Sequence, residues 1–244
     1  AMQEKGYEVR TFMPKYGAIN ERRNQLHEVI RLSGMNIIID DCDHPLIIKV
    51  ATLQPARMQV YFIDNDDYFH HPASISDKSL ETDSHPEDND ERSIFYVRGV
   101  IETVKKLRWE PAIVQCMGWI TALAPAFLKK VYNDDPSFEN TLIIYTLRSE
   151  QLPATLPAEL KKKLADYIAP EALEELGQDE IDLNALHRLA IRYADAIVQA
   201  DPDIDPEVIE FARQSGKPFM AYTSAETIAD DMAKFNLNLL EQDA

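Results

Sequence analysis

Glycine is scarce in this chain of 244 residues: there are 7, at positions 6, 17, 34, 99, 118, 177 and 216, and each stands alone. A loop that cradles a phosphate needs several glycines within one turn, because backbone without Cβ atoms must close on the anion. No such loop is visible. Cysteine is rarer still, with only Cys42 and Cys116. They fall on different predicted strands without metal-ligand spacing, so they read as reduced thiols rather than a disulfide framework or a zinc site. No apolar run approaches the ~20 residues that span a bilayer. No leader of basic, apolar and small residues precedes the first strand either, which gives the expectation of a cytoplasmic protein with no membrane partner. Positive charge is also short: 25 Lys and Arg face 42 Asp and Glu, a formal net charge of −17. A nucleic-acid partner needs a basic face to neutralise its phosphates, and this balance excludes that class. An anionic sugar nucleotide would need a local cationic or glycine-rich loop to override the same field.

What is present reads as an α/β chain. Apolar residues make up 45% of it, enough for a substantial core. Met2–Gly6 reads as the last turn of a helix closed by glycine, and Val9–Met13 as the strand after it. Met35–Asp40 and Leu46–Leu53 are two β-rich runs separated by Asp41-Cys42-Asp43-His44-Pro45, a hairpin signal. Val60-Tyr61-Phe62-Ile63 is too short for a helix and reads as a buried strand ending at Asp64 and Asn65. Pro72–Asp88 is rich in Ser, Asp, Glu and Pro and reads as a mobile loop. Asp88 or Asn89 can then cap a helix whose apolar stripe is Ile94, Val97, Ile101 and Val104.

Beyond this point strands and helices alternate. Ala112–Cys116, Thr141–Thr146, Ala196–Gln199 and Pro218–Tyr222 read as strands, and Ile120–Val131, Asn184–Ala194, Pro206–Gln214 and Ala225–Leu240 as helices. That succession predicts a doubly wound sheet with a β-hairpin elaboration. Gln151–Asp182, punctuated by Pro153, Pro157 and Pro170, reads as a helical insertion on the surface.

Several of these segments, in this order, resemble the N-terminal domain of bacterial glycogen synthases and plant starch synthases. Tyr61–Asn65 matches the family's Tyr-Phe-Ile-Asp-Asn strand end, Asp88–Arg92 its Asp-Asn-x-Glu-Arg helix start, and Pro14-Lys15-Tyr16-Gly17 its Pro-x-Tyr-Gly. The stretch Gln115-Cys116-Met117-Gly118-Trp119-Ile120-Thr121 occupies the frame of the family's His-x-His-Asp-Trp-x-Thr. Leu147-Arg148-Ser149 stands at its Thr-Ile-His-Asn. The resemblance implies a Rossmann-like domain equivalent to the N-terminal half of a GT-B glycosyltransferase, here a single domain over 1–244 with the second GT-B domain absent.

Glucosyl transfer from ADP-glucose needs donors around the departing diphosphate and groups that hold the ring as positive charge develops at its anomeric carbon. By resemblance, the positions that would contribute are Gln115, Met117, Gly118, Arg148 and Ser149, and the family's histidines and aspartate are replaced there. Met117 cannot stand in for an imidazole, and Gly118 offers only backbone. Tyr16 and Gly17 are candidates to line a sugar cleft. Trp119 is another, although its apolar neighbours Ile120, Leu123 and Phe127 favour a core anchor. No catalytic set is intact, no metal site is read, and no cofactor is implied. The expectation is a pseudoenzyme that binds an α-glucan or a protein partner. The alternatives are a hexosyltransferase subunit active only with a separate partner domain, and an interaction protein unrelated to carbohydrate.

Overall fold

The computed structural model describes residues 2–54, 57–69, 86–150, 152 and 155–243. Most of the loop predicted over Pro72–Asp88 lies outside them; Pro86–Asp88 form one turn of 3-10 helix. The chain folds into two compact units, Met2–Leu107 and Arg108–Ala244.

The first unit is built on strands β1 (Arg10–Pro14), β2 (His27–Glu28), β3 (Met35–Ile39), β4 (Cys42–Leu53) and β5 (Met58–Asp64). They form a sheet in the order β1-β5-β4-β2, with β3 paired to β4. Only β1 and β5 run parallel; β4 is antiparallel to each of its neighbours. The doubly wound pattern therefore does not extend through this sheet, because a two-residue turn can only return a strand antiparallel. That turn is Asp40-Asp41, with φ of 48° and 61°, the left-handed pair that twists correctly between strands and that Asp tolerates. The hairpin is tighter than the predicted Asp41–Pro45 connection. Pro45 sits in β4 opposite Asn36, while β5 pairs with β4 only from Ile47 onward, so no β5 acceptor is lost to the missing N–H.

A short helix, α1 (Asp66–Phe69), follows β5 where the sequence suggested only an acidic turn. Asn65 Oδ1 accepts from the N–H groups of Asp67 at 2.9 Å and Tyr68 at 3.2 Å, so the residue predicted to end the strand also starts the helix. Helix α2 (Asn89–Lys106) presents Ile94, Val97, Ile101 and Val104 to the core as the stripe predicts. Its start differs. Asp88 holds the N-cap position without a side-chain cap bond, and Asn89 instead accepts from Arg92 at 3.0 Å.

The second unit carries four strands, β6 (Ile113–Met117), β7 (Leu142–Leu147), β8 (Ala196–Gln199) and β9 (Phe219–Met220), all parallel and in that order. Helices α3 (Ala124–Lys130), α4 (Glu159–Leu164), α5 (Leu183–Tyr193), α6 (Pro206–Gln214) and α7 (Ile228–Asp243) complete it. The helix expected over Ile120–Val131 is broken into a 3-10 turn at Trp119–Thr121 and α3. The break places Pro125 in the first turn of α3, where its missing N–H costs no hydrogen bond. Along α7, Met232, Phe235 and Leu239 pack on Ile144, Ala196 and Val198 of the sheet.

The described part of the segment predicted as a surface insertion has one buried side. Leu156, Leu160, Leu164, Leu173 and Ile181 are inaccessible to solvent. Leu156 and Ile181 close it by a β-bridge, and Tyr193 of α5 donates its hydroxyl to the Ala172 carbonyl at 2.8 Å.

Two tests follow from this packing. A Cβ on Gly99 of α2 would lie 3.0 Å from Ile63 and 3.1 Å from Leu46, so Gly99→Val should cost about 1–3 kcal/mol in urea unfolding by overpacking. In the second unit, Tyr145 and His187 Nδ1 share a buried hydrogen bond of 2.9 Å. Burial holds the His187 imidazole down to about 4, against a weaker opposing pull from Asp182. An unfolded His titrates near pH ~6.5, so below that the unfolded chain takes up a proton the folded chain lacks. The His187 contribution is complete above about pH 6.5 and falls by about 3 kcal/mol as pH drops to about 4. In His187→Gln, unfolding free energies measured across this window should lose that part of their slope.

Candidate functional site

A parallel sheet delivers the C-terminal ends of all its strands to one edge, the side on which open α/β sheets hold ligands. In the second unit that edge collects Met117 at the end of β6 with Gly118 and Trp119 after it, Arg148, Ser149 and Glu150 after β7, and Asp201 after β8. Five of the positions singled out by sequence, Met117, Gly118, Trp119, Arg148 and Ser149, thus share one edge, and Gln115 lies two residues back on β6. Tyr16 and Gly17 follow β1 in the first unit. There Tyr16 meets Phe69 edge-on with ring centroids 6.0 Å apart.

Gln115 is committed internally. Its Nε2 donates to Thr146 Oγ1 at 3.1 Å, and its Oε1 accepts from Asn236 Nδ2 of α7 at 3.2 Å. Asn236 is itself 5% exposed, and its Oδ1 has no partner among the described residues. The neighbouring Cys116 points to the opposite face, where burial pushes its thiol up to about 12 and makes it a poor nucleophile. Met117 is 44% exposed.

Gly118 has φ 84° and ψ 168°, a conformation essentially reserved for glycine. The space a side chain would take there is filled by Glu150: a Cβ on Gly118 would lie 2.9 Å from its Oε2 and 3.2 Å from its Oε1. The same carboxylate accepts the backbone N–H of Trp119. The Trp119 ring is 6% exposed, which makes it the core anchor its neighbours suggested and not a free stacking platform. At the next strand end, Asp201 Oδ2 accepts the N–H of Ser149 at 2.9 Å and lies 3.8 Å from Arg148 Nε. The Arg148 side chain is half exposed.

Sequence reasoning did not pick out Glu150, Asp201, Thr146 or Asn236. Glu150 had one available signal: it directly follows Ser149 at a predicted strand end. Asn236 is 121 residues from Gln115, and nothing local announces their contact.

The first unit holds a second polar cluster. Buried Lys15 meets Glu21 at 3.2 Å, Glu21 meets Lys49 at 2.7 Å, and Lys49 meets the fully buried Asp64 at 2.7 Å. The hydrogen bond from Lys49 holds the Glu21 carboxyl below its ordinary value. Asp64 thus neutralises a lysine and Asn65 caps α1, so the acidic run at 64–67 is occupied structurally. His44 packs against Tyr68 with the rings tilted by 35° and shares a hydrogen bond of 3.1 Å with its hydroxyl; His70, His71 and His85 lie outside the described residues. Among the described residues no group of three or more His, Cys, Asp or Glu is arranged to hold a metal ion, and no helix is long and apolar enough to cross a membrane.

Comparison with known proteins gives a consistent picture. A family model described as the starch synthase catalytic domain matches residues 1–217. A glycogen synthase of Chlorobium phaeovibrioides is 32% identical over 208 residues, covering 85% of this chain and 41% of that protein. One of Chlorobium luteolum is 36% identical over 179 residues, or 73% of this chain and 36% of the relative. The chain thus spans about two fifths of the relatives it matches. Among solved structures, the catalytic domain of starch synthase IV from Arabidopsis thaliana, bound to ADP and acarbose, superposes with a TM-score of 0.68 at 17% identity. It covers 91% of this chain and 45% of that solved catalytic-domain chain, a likeness of fold.

The Gly118 geometry yields a direct test. Gly118→Ala should lower stability by about 1–3 kcal/mol through its positive φ and its collision with Glu150. In a Glu150→Ala background the collision is gone and the loss should be smaller, as a double-mutant cycle of unfolding energies would show.

Proposed function

The chain belongs to the starch synthase catalytic domain family, and on that premise we propose that its strand-end site binds an α-glucan without itself transferring glucose. The observation that carries this reading is the chemistry at the ends of β6 and β7. Neither Met117 nor Gly118 has a side chain that can exchange a proton or carry a charge. Gln115, the hydrogen-bonding side chain nearest to them on β6, is already engaged by Thr146 and Asn236. Electrostatic preorganisation is usually the largest catalytic term, so a site lacking it is expected to bind and not to turn over. Binding of a neutral glucan asks less. At these strand ends Met117 and the side chain of Arg148 face solvent, and they are the groups that would meet its sugar rings and hydroxyls.

A second reading is supported by the relatives themselves, which are named glycogen synthases and are more than twice as long as this chain. On that reading the chain supplies part of an ADP-glucose-dependent glucosyltransferase and acts only together with a second domain on another polypeptide.

The two readings separate on two measurements with the purified chain. Calorimetric titration with maltoheptaose should give saturable heat, and incubation with labelled ADP-glucose and glycogen should give no incorporation. Incorporation by the chain alone that falls on Gln115→Ala or Arg148→Ala would refute the non-catalytic reading. Incorporation that appears only after mixing with a partner polypeptide would establish the second. A silent titration would leave an interaction role unconnected with carbohydrate.

A further inference from the structure

We propose that Asn236 and Gln115 form a register key: their pairing holds α7 at one position along the sheet, out of more than one that its apolar stripe accepts. The inference is independent of what the strand-end site binds.

Its basis is a polar layer inside an apolar contact. Met232, Phe235 and Leu239 of α7 pack on Ile144, Ala196 and Val198. On the same helix the buried Asn236 donates to Gln115 Oε1 at 3.2 Å, and Gln115 in turn donates to the fully buried Thr146 at 3.1 Å. Asn236 Oδ1 has no partner among the described residues. Turning both side-chain amides over does not change this. Asn236 would then accept from Gln115 and Gln115 from the Thr146 hydroxyl, and the Asn236 amide nitrogen would be the atom left over. A neutral hydrogen bond adds little net stability, and a buried polar atom without a partner costs at least as much. The layer is therefore not what fastens α7 to the sheet, and two apolar side chains would do that as well.

Nor do the apolar anchors fix the position of α7 by themselves. A helix repeats its faces every ~3.6 residues, so a slide of four residues, about 6 Å, returns nearly the same face to the sheet. Such a slide would bring Met232, Leu239 and Leu240 to the places now held by Ile228, Phe235 and Asn236. The place of Leu239 would lose its apolar occupant, but the larger misfit is polar. Asn236 would lie at the place of Met232, against the apolar sheet, and Leu240 would face the Gln115 amide without answering it. Both errors leave buried amides unpaired, and both vanish when Asn236 meets Gln115. A single buried asparagine fixes the register of paired helices by the same means.

The test moves the key. In Asn236→Leu with Leu240→Asn the asparagine stands one turn further along, and α7 should slide to restore its bond to Gln115. In Asn236→Leu with Gln115→Leu the key is gone, and α7 should occupy both positions. The position is read from spin-label distances within the second unit, in a Cys42→Ser background, because Cys42 is exposed and Cys116 is buried. One label is carried by Asn238→Cys on α7, and the other by Lys162→Cys or Gln214→Cys in turn; all three native residues are exposed. The chain with its key in place should give one narrow distribution from each reference. Moving the key should displace that distribution by several ångströms from at least one reference, up to the ~6 Å of the slide. Deleting it should give two distributions. Distances unchanged in both variants overturn the proposal. Loss of a cooperative thermal melt on deleting the key overturns it too, because the apolar stripe must then suffice for docking. Should the moved-key variant alone fail to melt cooperatively, the deleted-key variant decides.

Discussion

The parallel register of β6, β7 and β8 is the constraint on which the second unit depends. Once Gln115 lies beside Ile144 and Thr146 beside Val198, every strand must leave the sheet at the same edge, and every crossover must return along a face. Residues far apart in sequence, such as Met117, Ser149 and Asp201, then have no choice but to meet. Carboxylates secure both edges of the sheet. Glu150 and Asp201 accept backbone N–H groups at one edge, while Asp195 accepts the Ile143 N–H at 2.8 Å and pairs with Lys129 at 2.8 Å at the other.

The first unit solves a different problem with the same means. Its sheet buries Asp64 completely, and an isolated carboxylate there would be very costly. Lys49 answers it directly, and the part-exposed Glu21 in turn joins Lys49 to Lys15, so that four charges share one chain of contacts. The chain runs from Asp64 through Lys49 and Glu21 to Lys15; it adds little net stability over apolar packing, but breaking it at one member strands the others. The strand-end motif through which the sequence resembles its family is thus an electrostatic fixture of the fold. It marks descent because the fold needs it, whatever chemistry is performed elsewhere.

Much of the architecture was legible in local pattern. The β-branched runs at 60–63 and 196–199 gave their strands almost to the residue, and the stripe of Ile94, Val97, Ile101 and Val104 gave the buried face of α2. What escaped was set by partners distant in the chain. Strand β2 is two residues long and exists only because His27 and Glu28 pair with Val50 and Lys49. The helical segment from Pro157 onward looked polar because its lysines and glutamates outnumber its leucines, yet those leucines point one way and are buried. At the site, the replaced positions could be read by comparison with the family frame. The compensating Glu150 could not, since its role follows from a positive φ at Gly118 that sequence alone does not reveal.

One contact also bears on the order in which the molecule comes together. Gln115 lies at the heart of β6, yet half of its hydrogen bonding is supplied by Asn236 on α7, 121 residues later. Closing so long a loop is entropically expensive, and contacts of this separation form late. During synthesis β6 and β7 can pair as soon as both have emerged, but the Gln115 amide stays incompletely satisfied until α7 has been made and docked. The strand that carries the site is therefore completed only when α7 docks, and its local order reports whether that helix is in place.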